Sequence, residues 1–409
     1  MTALHTEWRD AWLLAGARTP FADLGGPLGQ VSPIDLGIKA ARAALRKAAV
    51  PAEEIGFVVA GSVAQASFDA YMLPRHVGLY AGVREEVPAL LVQRVCGTGI
   101  EALVQGATAV DRQGAGFALC AGAESMTRNP IAAFTHRGGF ALGAAVEFKD
   151  FLWEALLDPA CGLSMGGTAE ELATRHGITR AEVDAYAARS FDRALAAREA
   201  GFFADEITDV TTETFSRDGL RDRGIALPRK IASLTEDTHP RPSPVEALAK
   251  IRPAFGGVQT GGNSSAVVDG AAAAVVCSGA QAKGRAPLAR LVAAAAVGCP
   301  PAIMGIGPVP AIRALLDRTG LTLDQIDLIE INEAFGAQVM ACSRELGLDE
   351  AKLNPHGGAI AIGHPLGATG IRLAVTCARG LARRGGRYGI ASACIGGGQG
   401  IALLLEVAR

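Results

Sequence analysis

The sequence predicts an α/β fold of two pseudo-symmetric halves, and three observations carry that reading. Short continuous apolar runs, typical of strands buried on both faces, alternate with amphipathic helical patterns. Segments of the first part recur about 270 residues later. Between them, from about Ser125 to Thr260, charge rises and strands give way to mixed segments.

The elements follow in order. Ala11 to Gly16 is the first strand. Pro33 opens a helix with Leu36, Ala40, Ala44 and Leu45 on one face, closed near Val50-Pro51. Ile55 to Ala60 is the second strand, Pro74 to Tyr80 reads as helical, and Pro88 to Val95 is the third strand, which delivers Cys96. A helix starts at once, with Ile100, Leu103, Val104, Ala107 and Val110 at helical spacing. Phe117 to Ala121 is the fourth strand. Thr179 to Ala200 is an amphipathic helix with Thr179 as cap and Glu182 three residues on. Thr211 to Pro244 is polar and rich in proline, so the whole excursion reads as a lid. Ala271 to Cys277 is the fifth strand. Leu291 to Ile312 is uncharged and long enough to span a bilayer, but Pro300, Pro301, Pro308 and Pro310 break it into a strand and a loop.

The repeat then pairs distant segments. Glu54 to Val59 corresponds to Gln325 to Glu330, and Phe117 to Gly122 to Gly389 to Cys394. The Cys96 elbow corresponds to Ala361 to Gly367, which holds His364. The fifth strand corresponds to Gly400 to Leu405. Open α/β sheets bind ligands outside the carboxyl ends of their strands. Cys96, His364 and Cys394 are therefore expected to converge on one site.

Composition removes several function classes. The 409 residues carry 39 basic and 41 acidic side chains, a balance that recruits neither nucleic acid nor an anionic membrane. None of the eight cysteines form a C-x-x-C pair and the seven histidines stand apart from them, so neither a metal site nor a disulfide framework is expected. Met1 to His5 lacks a basic start followed by an apolar run, and the expected location is cytoplasmic.

Four short motifs carry chemistry. A thiol at a strand-to-helix elbow faces a helix N-terminus, whose partial positive charge favours thiolate. Gly97-Thr98-Gly99-Ile100-Glu101-Ala102 also fits the dinucleotide fingerprint, but the next acid after Asp111 is Glu124, too late for a ribose contact. His364 stands in Gly-His-Pro at the repeat position of the cysteine, where a neutral imidazole suits activation of a thiol. Cys394 precedes Ile395-Gly396-Gly397-Gly398, whose exposed N–H groups suit an oxyanion hole. Asn332-Glu333-Ala334-Phe335 ends a strand of the second half.

Val95-Cys96-Gly97-Thr98-Gly99, Asn332-Glu333-Ala334-Phe335, Gly363-His364-Pro365 and Cys394-Ile395-Gly396-Gly397-Gly398 resemble the four active-site blocks of the thiolase family. Met165 to Glu170, Ala249 to Phe255 and Gly262 to Ser265 fit as well, so the resemblance runs from about Leu13 to Val407. Leu73 to Leu79, Met304 to Pro310 and Ser392 to Gly400 look most like the 3-ketoacyl-CoA thiolases of β-oxidation.

The resemblance implies α/β/α/β/α layers. Residues 1–125 and 262–285 would form the N-terminal half, 126–261 an inserted loop domain that binds coenzyme A, and 286–409 the C-terminal half. It implies a ping-pong acyl transfer in which Cys96 is the nucleophile, His364 activates it and Cys394 is the acid/base at the α-carbon. The N–H groups of Cys96 and Gly396 would form one oxyanion hole, and His364 with a water held by Asn332 the other. Ser265 matches a pantetheine-contacting serine, Arg241 a CoA-contacting arginine and Met165 a residue beside the acyl pocket. Coenzyme A would be a substrate, with no tightly bound cofactor, and the assembly a homodimer or homotetramer. The alternatives are a biosynthetic acetoacetyl-CoA thiolase, against which Ser164 stands where such enzymes carry histidine, a condensing enzyme of the ketoacyl-synthase type, and a non-catalytic acyl-CoA-binding subunit. His356 stands where the family usually has asparagine, and so close to His364 it is expected to add a second titration on the acid side.

Overall fold

A computed structural model describes residues 2–64, 67–134 and 138–407. Among the described residues one ten-stranded sheet has nine strands on its main path, with the short strand Ala22–Asp23 beside it: β1 (Ala3–Arg18), β2 (Ile55–Gly61), β3 (Ala89–Leu91), β4 (Phe117–Glu124), β5 (Val268–Ser278), β6 (Ala289–Gly298), β7 (Leu328–Ile331), β8 (Tyr388–Ile395) and β9 (Gln399–Glu406). Their order is β7-β8-β9-β6-β1-β5-β4-β2-β3. The order reads alike from both sides of the β6–β1 pair, so β6, β9, β8 and β7 repeat β1, β5, β4 and β2. The two halves predicted from the repeat are thus present as two arms of one sheet.

The sheet folds over at β1. Its first residues pair with β6, Ala3 opposite Val297, and its last with β5, Arg18 opposite Ala272. Between the arms lie helices α3 (Thr98–Arg112) and α8 (Leu366–Arg384); the other long helices are α1 (Pro33–Ala48) and α2 (Leu73–Ala81) before α3, and α4 (Met165–Arg175), α5 (Arg180–Glu199), α6 (Pro308–Thr319) and α7 (Gly336–Leu346) between α3 and α8. The two-residue alternation of each strand divides the core accordingly. Ala272, Ala274 and Val276 of β5 join Ala391, Ala393, Leu403 and Leu405 around α3 and α8. The alternate residues Ala271, Ala273 and Val275 face α1, while Ala402 and Leu404 face α6. Outer helices, sheet arm, helix pair, sheet arm and outer helices make the five expected layers.

The helix pair crosses at glycine. A methyl on Gly99 would fall 2.6 Å from the amide N of Ile371, and one on Gly370 would fall 2.2 Å from that of Ile100. Only backbone-to-backbone contact is possible there.

Two local expectations are corrected. The third strand stops at Leu91 rather than Val95, because residues 92–97 turn to present Cys96. The loop after Gly298 is instead a 3-10 turn, Pro301–Ile306, leading into α6 at Pro308, where proline suits the first helical turn. The cap at Thr179 is a complete capping box with Glu182.

Candidate active site

Strained turns deliver the candidate residues. Val95 holds φ at 41°, in the left-handed region that β-branched residues avoid. Thr98 Oγ1 accepts from the amide of Arg94 at 2.8 Å and closes the turn, so Cys96 stands immediately before α3. Gly363, at φ 97°, precedes His364, two residues before α8. A side chain at Gly363 would meet Val268 at 2.5 Å. Cys394 lies at the end of β8, and Gly396 in the tight turn to β9.

The two elbows meet. Cys96 is buried against Met126 and Leu366, and the amide of Gly396 lies near enough to favour its charged form. Cys394 is fully buried with Met165, Met304 and Ala334, within electrostatic reach of Cys96. His364 Nδ1 lies 2.6 Å from Thr369 Oγ1, and that hydroxyl is 3.1 Å from the carbonyl of Pro365. The hydroxyl donates to the carbonyl and accepts from Nδ1–H, which leaves the Nε2 lone pair 3.3 Å from Asn332 Nδ2. Asn332 Oδ1 is buried and unpaired among the described residues. A cavity of about 210 Å³ opens beside this group, lined by His364, Leu366, Met165, Ser265, Phe335 and Trp153 among others.

Burial sets the charge states. It pushes the Cys96 thiol up to about 11, against the pull of the Gly396 amide and its own, with Glu124 adding to the rise. The thiolate expected from the helix terminus is not the resting form: a helix end is worth at most ~2 kcal/mol, and burial outweighs it. Burial, with help from Arg372, pushes His364 down to about 3. The resting pair is a neutral thiol and a neutral imidazole. Burial also drives Cys394 well above the ordinary thiol range.

Two residues singled out in the sequence lie apart. Arg241 is exposed, donates to the carbonyl of His239 at 3.0 Å, stacks over Phe191 and does not line the cavity. His356 stacks on Phe202 with ring centroids 3.7 Å apart, and burial beside Arg384, Arg383 and Arg193 pushes it down to about 4. The second titration expected of it falls below the pH range where enzymes of neutral media work.

Two carboxylates named in the sequence, Glu333 and Glu124, prove to be buried structural acceptors whose roles the sequence did not show. Glu333 accepts from Tyr186 Oη at 2.9 Å, Ser190 Oγ at 2.6 Å and the amide of Ile360 at 3.2 Å, tying α5 to the second half. Glu124, at the end of β4, accepts from Ser62 Oγ and from the amides of Val63, Ala64 and Gly367. Glu333 stands in a block already picked out, but its partners come from distant elements, and Glu124 is held mostly by backbone amides that carry no residue-type signal. Among the described residues no group of three or more His, Cys, Asp or Glu side chains could hold a metal ion, and no helix is long and apolar enough to cross a membrane.

Comparison with known proteins agrees with this geometry. The thiolase N-terminal domain family matches residues 12–280 and the thiolase C-terminal domain family residues 285–407. The mitochondrial 3-ketoacyl-CoA thiolase of Bos taurus is 42% identical over 97% of this chain and 98% of its own. The acetyl-CoA acetyltransferase of Pseudomonas aeruginosa is 41% identical over 97% of this chain and 99% of its own. A crystal structure of human mitochondrial 3-ketoacyl-CoA thiolase in complex with CoA superposes with a TM-score of 0.92 at 42% identity, covering 98% of both chains.

The mitochondrial relatives overturn the cytoplasmic expectation. That expectation rested on five N-terminal residues, whereas cellular address is read from segments separable from the folded core. With matching domains over nearly its whole length and relatives above 40% identity, the chain belongs to the thiolase family and is an acyl-CoA acyltransferase.

Proposed function

We propose that this thiolase cleaves 3-ketoacyl-CoA with CoA through an acyl-enzyme on Cys96. The reading is supported by the packing of Cys96 with Leu366, two residues after His364, whose Nε2 carries the free lone pair, and by the Gly396 amide near the sulfur. Because thiol and imidazole are both neutral at rest, the proton moves from Cys96 to His364 Nε2 as the sulfur attacks the 3-keto carbon. The amides of Cys96 and Gly396 take the developing oxyanion. The C2–C3 bond then breaks, and its electron pair leaves as the enolate of acetyl-CoA. Cys394 protonates that carbon and is left as thiolate. It takes the proton of an incoming CoA thiol, whose sulfur displaces Cys96 from the thioester, and the proton on His364 returns to Cys96. The reverse sequence is a Claisen condensation.

Ser265 and Met165 line the cavity beside His364, which supports a pantetheine arm and acyl group there. The human relative's CoA complex supports the same ligand. Arg241 is outside the cavity lining, so no CoA contact is assigned to it. Residues 126–261 act as the lid. Similarity to 3-ketoacyl-CoA thiolases favours the degradative direction in fatty-acid β-oxidation. Exposed Leu142, Phe148 and Trp153 favour burial in a homodimer or homotetramer.

Cys96→Ala is expected to abolish thiolysis of acetoacetyl-CoA and acyl-enzyme formation. Cys394→Ala should keep a Cys96 that alkylating agents trap while losing turnover. Full activity in either variant would overturn the mechanism.

A further inference from the structure

We infer that Glu124 is a positioning residue for the acyl transfer, a clamp that holds the nucleophile's half and the base's half in register. The inference rests on the mechanism above. Glu124 is fully buried at the end of β4, in the half that carries Cys96. Its Oε1 accepts from Ser62 Oγ and the Ala64 amide, both at 3.0 Å, and Oε2 from the Val63 amide at 3.0 Å. These are residues of its own half. The fourth donor comes from the other: Oε2 accepts the Gly367 amide at 2.9 Å. Gly367 is in the first turn of α8, three residues after His364, where helix amides have no partner within the helix.

The surrounding backbone is built to the same contact. A methyl on Gly122 would fall 1.9 Å from the carbonyl O of Gly367, and one on Gly367 would fall 2.8 Å from the carbonyl O of Gly61 and 3.2 Å from Glu124 Oε2. The clamp ends beside the reacting group, for Leu366, next to the clamped Gly367 amide, and Val63, whose own amide is clamped, belong to the apolar cluster that holds Cys96. Displacement of a reacting atom by as little as ~1 Å can cost ~100-fold in rate, so a link between the two halves at this point governs turnover rather than affinity. Glu124 touches none of the cavity-lining polar groups directly. Its charge nevertheless opposes ionisation of Cys96, which provides a readout of its own.

The test compares Glu124→Gln with Gly367→Ala, using acetoacetyl-CoA and CoA as substrates and iodoacetamide as the thiol probe. Glu124→Gln keeps the shape but presents an NH2 to amide donors and removes the charge. Gly367→Ala leaves the carboxylate and wedges the contact apart. Both are expected to lower kcat by roughly tenfold or more, with KM changed by less than about twofold. Glu124→Gln alone should also shift the pH dependence of Cys96 alkylation to lower pH. A kcat per alkylatable Cys96 that is unchanged in both variants would overturn the inference. So would an alkylation profile unmoved in folded Glu124→Gln. If Glu124→Gln does not fold, Gly367→Ala decides through its kcat-against-KM split. Failure of the underlying mechanism is separate, since it would show as turnover in Cys96→Ala.

Discussion

Thr369 decides with one hydroxyl which nitrogen of His364 is free to take a proton. Its proton goes to the Pro365 carbonyl, so the ring must give Nδ1–H to Oγ1 and keep Nε2 bare. Thr369→Val removes that acceptor and orphans a buried N–H. It is expected to lower kcat by roughly tenfold or more, since general-base catalysis supplies ~100- to 10,000-fold. Thr369→Ser should restore most of the rate in the same assay. A second residue-scale expectation concerns pH. Histidines pushed down to about 3 and about 4 are neutral above those values and gain charge only as pH falls through them. Neither His364 nor His356 therefore gives the kcat/KM profile an acid limb above about pH 5, and His356→Asn should superpose on the parent. A limb near pH 6.5 lost in that variant would contradict the placement of His356 against Phe202. At this scale the turns that carry Cys96, His364 and Cys394 were legible, because each follows an apolar run and is made of small residues. The charge states of these side chains were not, because burial is a property of what the chain packs against them.

At the scale of the element, the α3–α8 crossing is a tight backbone-to-backbone contact. Gly99 and Gly370 bring two helix backbones together with no room for a methyl. Gly99→Ala should destabilise the protein by roughly 1–3 kcal/mol through overpacking, read as a lower denaturation midpoint. It should also reduce activity, because the displaced helices carry Cys96 and His364 at their starts. A midpoint equal to that of the parent would show that the crossing can yield. Sequence patterns located most of these elements to within a few residues. They failed where tertiary structure dictates the backbone. Val92 to Val95 has strand chemistry but turns, since the chain must swing Cys96 in front of α3. Pro308 reads as a breaker, yet it opens a helix whose first amides need no partner.

In the molecule as a whole, the nearly palindromic strand order places two elbows at equivalent positions: one carries the proposed nucleophile, the other the proposed base. The repeat made this architecture legible. The fold-over at β1 was not, because it depends on one strand of 16 residues giving its two ends to different neighbours. Cys96 precedes α3 and packs on Leu366, the first residue of α8. The Cys96 sulfur, the proposed nucleophile, is thus set near the positive poles of two helices. Such a field favours an enolate or alkoxide and disfavours an imidazolium, whatever the acyl chain. For inhibitors this implies selectivity by charge before selectivity by length. An anionic enolate mimic should bind at least tenfold more tightly than its neutral isostere, with the ratio nearly insensitive to ionic strength because the poles are buried. Equal inhibition constants for the two compounds would show that burial has silenced both helices.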